Sequence, residues 1–124
     1  MIAVDSSVWV DFYRGTNTAH VERLSDHLDA GDPTAITDVI YMELLRGART
    51  DSELARMKLR IDQTDILQVR GLDDFAFAAE LFRRVRRNGH TIRQATDCLI
   101  AAVCIREDVP LLHDDIDFDR IVDV

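Results

Sequence analysis

Residues 98–105 form an unbroken run of eight apolar side chains, from Cys98 to Ile105. A helix built on such a run has no polar face to turn to water, so other elements must enclose it. It falls far short of the ~20 residues that span a bilayer, so the enclosure has to be protein. Short apolar runs at residues 2–4, 33–37, 66–69 and 109–113 read as strands of that enclosure, and residues 121–124 as a short edge strand. Between them lie helical patterns over residues 8–13, 20–30, 38–48, 51–61, 73–87 and 91–105, the last opening on Thr91 and Gln94 as a capping box. Ser6 or Ser7 is positioned to cap the first helix. This alternation predicts an α/β fold: a central parallel sheet of four to five strands, flanked by helices on both faces, in one domain over residues 1–124.

Hydrophobic residues make up 47% of the chain, enough for a genuine core. No basic region precedes the first apolar residues, as a signal peptide requires, and no apolar run suits a membrane, so the expected location is the cytoplasm. Asp and Glu total 23 against 15 Lys and Arg, a formal charge of -8. That balance opposes non-specific attraction to nucleic acid and leaves room for a metal site with a local basic patch. Lys58 is the only lysine; the other basic residues are arginines, which suit bidentate contact with phosphate or carboxylate. Cys98 and Cys104 cannot pair within one helix, and no Cys/His spacing suits zinc, so both are read as reduced core thiols.

Most acids lie on polar faces. Five lie where burial is expected: Asp5 ends the first strand, Glu43 interrupts an apolar helix, Asp97 opens another, and Asp115 and Asp117 follow the last interior strand. A buried carboxylate must be paired or bound to a cation. Arg46 lies one turn after Glu43 and Arg93 one turn before Asp97, so each acid has a structural partner within reach. Convergence weakens that explanation, because the predicted topology brings these acids to one end of the sheet. Two carboxylates ~5 Å apart repel by about 3 kcal/mol at an effective dielectric near 20. A divalent ion removes the conflict, and oxygen ligands without His or Cys favour Mg²⁺ or Mn²⁺ over zinc. Two such ions form a clamp for in-line phosphoryl transfer. Ser6 can position a water or a phosphate oxygen.

The motifs carrying these acids resemble those of the PIN-domain ribonucleases, and among them the VapC-type toxins of type II toxin–antitoxin pairs. Ile2-Ala3-Val4-Asp5-Ser6-Ser7 is similar to the family's opening strand, Asp and hydroxyl pair. Met42-Glu43-Leu44-Leu45-Arg46-Gly47-Ala48 is similar to its second motif, Asp97-Cys98-Leu99-Ile100-Ala101-Ala102 to its third, and residues 111–118, ending in Asp117-Phe118, to its fourth. The resemblance spans essentially the whole chain. It implies an endoribonuclease dependent on Mg²⁺ or Mn²⁺ that hydrolyses RNA phosphodiester bonds through metal-activated water. Asp5, Glu43, Asp97 and Asp115 would be catalytic metal ligands, with Asp117 a second candidate for the fourth acid. It also implies a homodimer and a cognate antitoxin that shields the acidic pocket, often with an arginine. Ser6 stands where many members have Thr, and Asp38 where a smaller polar residue is common.

Arg14, Arg46, Arg83 and Arg87 are candidate RNA contacts, although the cluster at residues 83–87 also suits a solvated helix end. Trp9, Phe12 and Tyr13 are assigned to packing, and His113 to a strand end. A phosphoacceptor receiver domain is disfavoured because one acid, not two, ends the first strand, and Lys58 lies in a helix. A haloacid dehalogenase-type phosphatase needs a second Asp where Ser7 stands. The remaining alternative is a catalytically silent PIN fold that binds RNA or a partner.

Overall fold

The computed structural model describes all residues, 1–124. Along the chain run β1 (Ile2–Val4), α1 (Ser6–Arg14), α2 (Ala19–Asp29), β2 (Thr34–Thr37), α3 (Asp38–Gly47) and α4 (Asp51–Ile61). They are followed by β3 (Asp65–Leu67), α5 (Leu72–Arg87), α6 (Ala95–Arg106), β4 (Leu111–Leu112) and α7 (Ile116–Val122). The four strands are parallel and ordered β3-β2-β1-β4. The path runs outward from β1 to β3, then returns past β1 to β4; with the right-handed crossovers general to parallel strands, that reversal lays helices on both faces. Ala3 sits between Ala35 and Leu111, so the central strand is flanked on both sides.

The reversal makes the carboxyl ends of β1 and β4 a topological switch point, where open α/β sheets bind ligands. There the N–H of Asp5 donates to Leu112 O at 3.0 Å, tying the exits of the two strands together. A continuous core of 21 buried residues draws on two strands and every helix. Helix α6 is its axis: Cys98, Ile100, Ala101, Ala102, Val103 and Cys104 are all buried, while Ile105, at its far end, is half exposed. Both thiols are free, and burial pushes them up to about 11 for Cys98 and about 12 for Cys104. Trp9 is buried and packs against Phe12 and Tyr13, as a core role requires. No helix is long and apolar enough to cross a membrane.

Four local expectations change. Residues 121–124 form no fifth strand. Asp115 caps a helix instead, its Oδ1 accepting from the N–H of Asp117 at 2.9 Å, and Phe118 and Ile121 are buried one turn apart. Acids in the first turn favour that helix start. The Thr91–Gln94 capping box is not formed either: α6 begins at Ala95 without a side-chain cap. Ile92 is buried, and the N–H of Arg93 is bound to Asp117 at 3.2 Å, so tertiary contacts hold this segment out of the helix. Helix α1 is capped by Asp5 rather than by Ser6 or Ser7. Strand β3 pairs over residues 65–67, because Asp38 Oδ2 accepts the N–H of Val69 at 3.1 Å and diverts the chain. Asp38 therefore fastens the exit of β3 to the start of α3.

Candidate active site

Each acid reaches the switch point by a local rule. Asp5, the residue after β1, turns back as the α1 cap, and its Oδ2 accepts from the N–H and Oγ of Ser7 at 3.3 and 2.7 Å. This Asx-type turn fixes the carboxylate beside the strand end. Glu43 lies in the middle of α3, half-buried, with the Oγ of Ser6 3.4 Å from its Oε1. Asp97 stands in the first turn of α6 and is buried. Asp115 caps α7, and Asp117, one residue into it, is fully buried.

Asp5, Ser6, Glu43, Arg46, Asp97 and Asp115 line one pocket of about 550 Å³, together with Ser7, Arg93 and Asp114. Asp97, Asp115 and Asp117 each offer an oxygen within 4.8 Å of the others. Both sequence candidates for the fourth acid are therefore present together, Asp115 on the pocket wall and Asp117 behind it. A larger hollow of about 610 Å³ lies between α5, α6, β4 and α7, but its lining is mostly apolar.

The electrostatics follow from this crowding. Burial first, then the neighbouring Asp5, Asp115, Glu43 and Asp117, push the Asp97 carboxyl up to about 7. Glu43 is raised by burial and by Asp5, with Ser6 and Arg46 only partly opposing. The arginines do not neutralise the cluster as local spacing suggested. Arg93 bypasses Asp97, four residues on in the chain, and pairs with Asp115 at 2.8 Å and Asp117 at 3.1 Å. The second oxygen of Asp117, Oδ1, is buried without a hydrogen bond and pairs with Arg120 Nη1 only at 3.6 Å. An orphaned buried carboxylate oxygen beside an unpaired Asp97 leaves room for positive charge. The donors are hard oxygens, so the residues fit a divalent cation of the Mg²⁺ or Mn²⁺ kind.

Of the candidate RNA-contacting arginines, Arg46 lines the pocket. Arg14, Arg83 and Arg87 do not. Arg87 pairs with Glu80 at 3.2 Å, and Arg83 borders an apolar hollow beside Phe75, Phe82 and Leu99. His113 also lies outside the acidic pocket: its ring packs on Phe118, and its Nδ1 accepts the N–H of Asp115 at 3.3 Å. Sequence reasoning missed Ser7 as the group orienting Asp5, though an Asp-x-Ser step is the usual signal for such a turn.

The model of the PIN domain family matches residues 2–124. Ribonuclease VapC11 of Mycobacterium tuberculosis is 37% identical over 124 residues, covering 98% of this chain and 91% of the relative. Among solved structures, VapBC2 from Rickettsia felis bound to a DNA fragment from its promoter superposes with a TM-score of 0.76 at 19% identity, over 97% of this chain and 92% of that one. A toxin–antitoxin complex from Klebsiella pneumoniae gives 0.68 at 17% identity, over 90% and 83%. A family match over nearly the whole chain and a VapC ribonuclease 37% identical along it show that the chain belongs to the PIN-domain family, on its VapC ribonuclease branch.

Proposed function

We propose that this chain is the toxin of a toxin–antitoxin pair: a single PIN domain that cuts RNA internally, with Mg²⁺ or Mn²⁺ as cofactor. The observation that carries the reading is the meeting of Asp5, Glu43, Asp97 and Asp115 in one pocket where Asp97 has no arginine to neutralise it. The ribonuclease activity named for the relative at 37% identity supports the same conclusion.

In this reaction a water oxygen adds to phosphorus and the P–O3′ bond breaks. One fragment ends in a 5′-phosphate, and the departing 3′ oxygen takes up a proton. A divalent cation, when bound, supplies Lewis acidity toward water and phosphate and offsets the carboxylate charge. Asp97, Asp115 and Asp117 would hold it, with Asp5 and Glu43 completing the oxygen set. Ser7 keeps Asp5 turned to the pocket, and Ser6 donates its one O–H to Glu43 until a phosphate oxygen takes Glu43's place as acceptor. Arg46, at the pocket wall, meets the backbone of an incoming RNA.

A partner that inhibits such a site has to cover an acidic hollow, and a guanidinium is the group best matched to it. The Klebsiella pneumoniae neighbour is a toxin–antitoxin complex, which supports an antitoxin as that partner. A homodimer in the cytoplasm completes the proposal.

The test is incubation of purified protein with cellular RNA in Mg²⁺ or Mn²⁺, with and without chelator, reading the new termini. Metal-dependent fragments with 5′-phosphate ends are expected, and Asp5→Asn and Asp97→Asn should abolish them. Equal cutting by both variants would overturn the mechanism.

A further inference from the structure

Arg93 precedes α6, and its side chain is 68% exposed at the pocket wall. Despite that exposure it makes three contacts with α7. Its Nη2 donates to Asp115 Oδ1 at 2.8 Å, its Nε to Asp117 Oδ2 at 3.1 Å, and its backbone N–H to the same Oδ2 at 3.2 Å. Asp115 Oδ1 also accepts the N–H of Asp117. Arg93 thus engages one oxygen of each carboxylate, while Asp117 Oδ1 is buried without a hydrogen bond and faces only Arg120 Nη1, 3.6 Å away. Both carboxylates also belong, with Asp97, to the group in which each offers an oxygen within 4.8 Å of the others.

We propose that Arg93 is a positioning residue: a two-point brace that holds Asp115 and Asp117 by one oxygen each and keeps their other oxygens set for a divalent cation. This rests on the metal-dependent reading above. Two opposing effects decide the sign. A guanidinium beside the site adds positive charge that competes with the cation, but at an exposed position water and salt screen that repulsion. Orientation of ligands by hydrogen-bonded outer groups is typically worth 10–100-fold in metal affinity. The brace therefore prevails. A lysine in its place retains the charge but lacks the planar fork that reaches two carboxylates at once.

Binding of Mn²⁺ alone, without RNA, is the decisive measurement, by loss of the free-ion electron paramagnetic resonance signal. Arg93→Ala, whose backbone contact to Asp117 survives, should retain wild-type secondary structure and bind Mn²⁺ about tenfold more weakly. Arg93→Lys should fall between the two. Arg93→Ala binding as tightly as wild type, or more tightly, overturns the brace while leaving the nuclease reading intact. Arg93→Lys binding like wild type shows that charge suffices and also overturns it. Wild-type protein that takes up no Mn²⁺ overturns both.

Discussion

Two buried aspartates in this protein have opposite surroundings. Asp74, in the first turn of α5, receives Arg106 Nε on both oxygens at 2.9 and 3.2 Å and the N–H of Arg70 at 2.7 Å. Arg106 Nη2 also donates to Gln68 O at 2.7 Å, so the pair joins α6 to the exit of β3. These bonds hold the Asp74 carboxyl below its usual range. Asp97, on the same helix as Arg106 but at its other end, has carboxylates for neighbours and is raised to about 7. Burial of an acid therefore does not mark a site; the lack of a compensating cation does.

The largest effect that would break this contrast is on activity. Asp97→Asn should lower RNA cleavage more than about 100-fold, since a ligand lost matters more than an outer group, while thermal stability stays level or rises because an uncompensated charge is gone. A marked fall in melting temperature with full cleavage would reverse the assignment. Arg106→Ala should do the opposite, destabilising the fold by leaving Asp74 with the Arg70 N–H alone, with cleavage per folded molecule unchanged; denaturant titration beside an activity assay reads both.

Metal should act on one region alone. At 100 times its dissociation constant, Mn²⁺ should stabilise wild type by about 2.7 kcal/mol, stabilise Arg106→Ala equally, and do little for Asp97→Asn. Thermal melts with and without chelator measure this.

The smallest effect per step is the pH dependence of metal-free protein. Asp97 binds its proton more tightly when folded than unfolded, so stability falls as pH rises from about 4 to about 7. Asp74 is shifted the other way, so its contribution is present above about pH 4 and is lost as pH falls below it. Asp97→Asn should flatten the first limb and Asp74→Asn the second. Chemical denaturation across pH in chelator would show a single shared limb if the two acids were alike.

The strands and helices were legible because hydrophobic periodicity is local and each element repeats it several times. The five acids were legible for a related reason: each interrupts an apolar pattern that predicts burial. What misled was local chemistry that tertiary contacts overrode. Thr91 and Gln94 have the spacing of a capping box, yet Ile92 is drawn into the core and Arg93 to α7. The apolar residues of 121–124 suit a strand, yet Phe118 and Ile121 bury the same face of a helix capped by Asp115. Asp74 and Arg106 are 32 residues apart, and no spacing rule links them. Arg93 was paired with Asp97 on helical spacing, and residues 91–94 are not helical.

By itself the sequence determined the alternation of strands and helices, the burial of most of residues 98–104, and that of Asp5, Asp97 and Asp117, because these depend on side-chain type and short-range periodicity. Only the tertiary structure decided which arginine meets which acid. A guanidinium pairs with whichever carboxylate the fold brings within about 3 Å, and that depends on how α6 and α7 meet at the exits of β1 and β4. That no arginine pairs with Asp97, on which the proposed chemistry turns, is a property of that meeting and of no single stretch of chain.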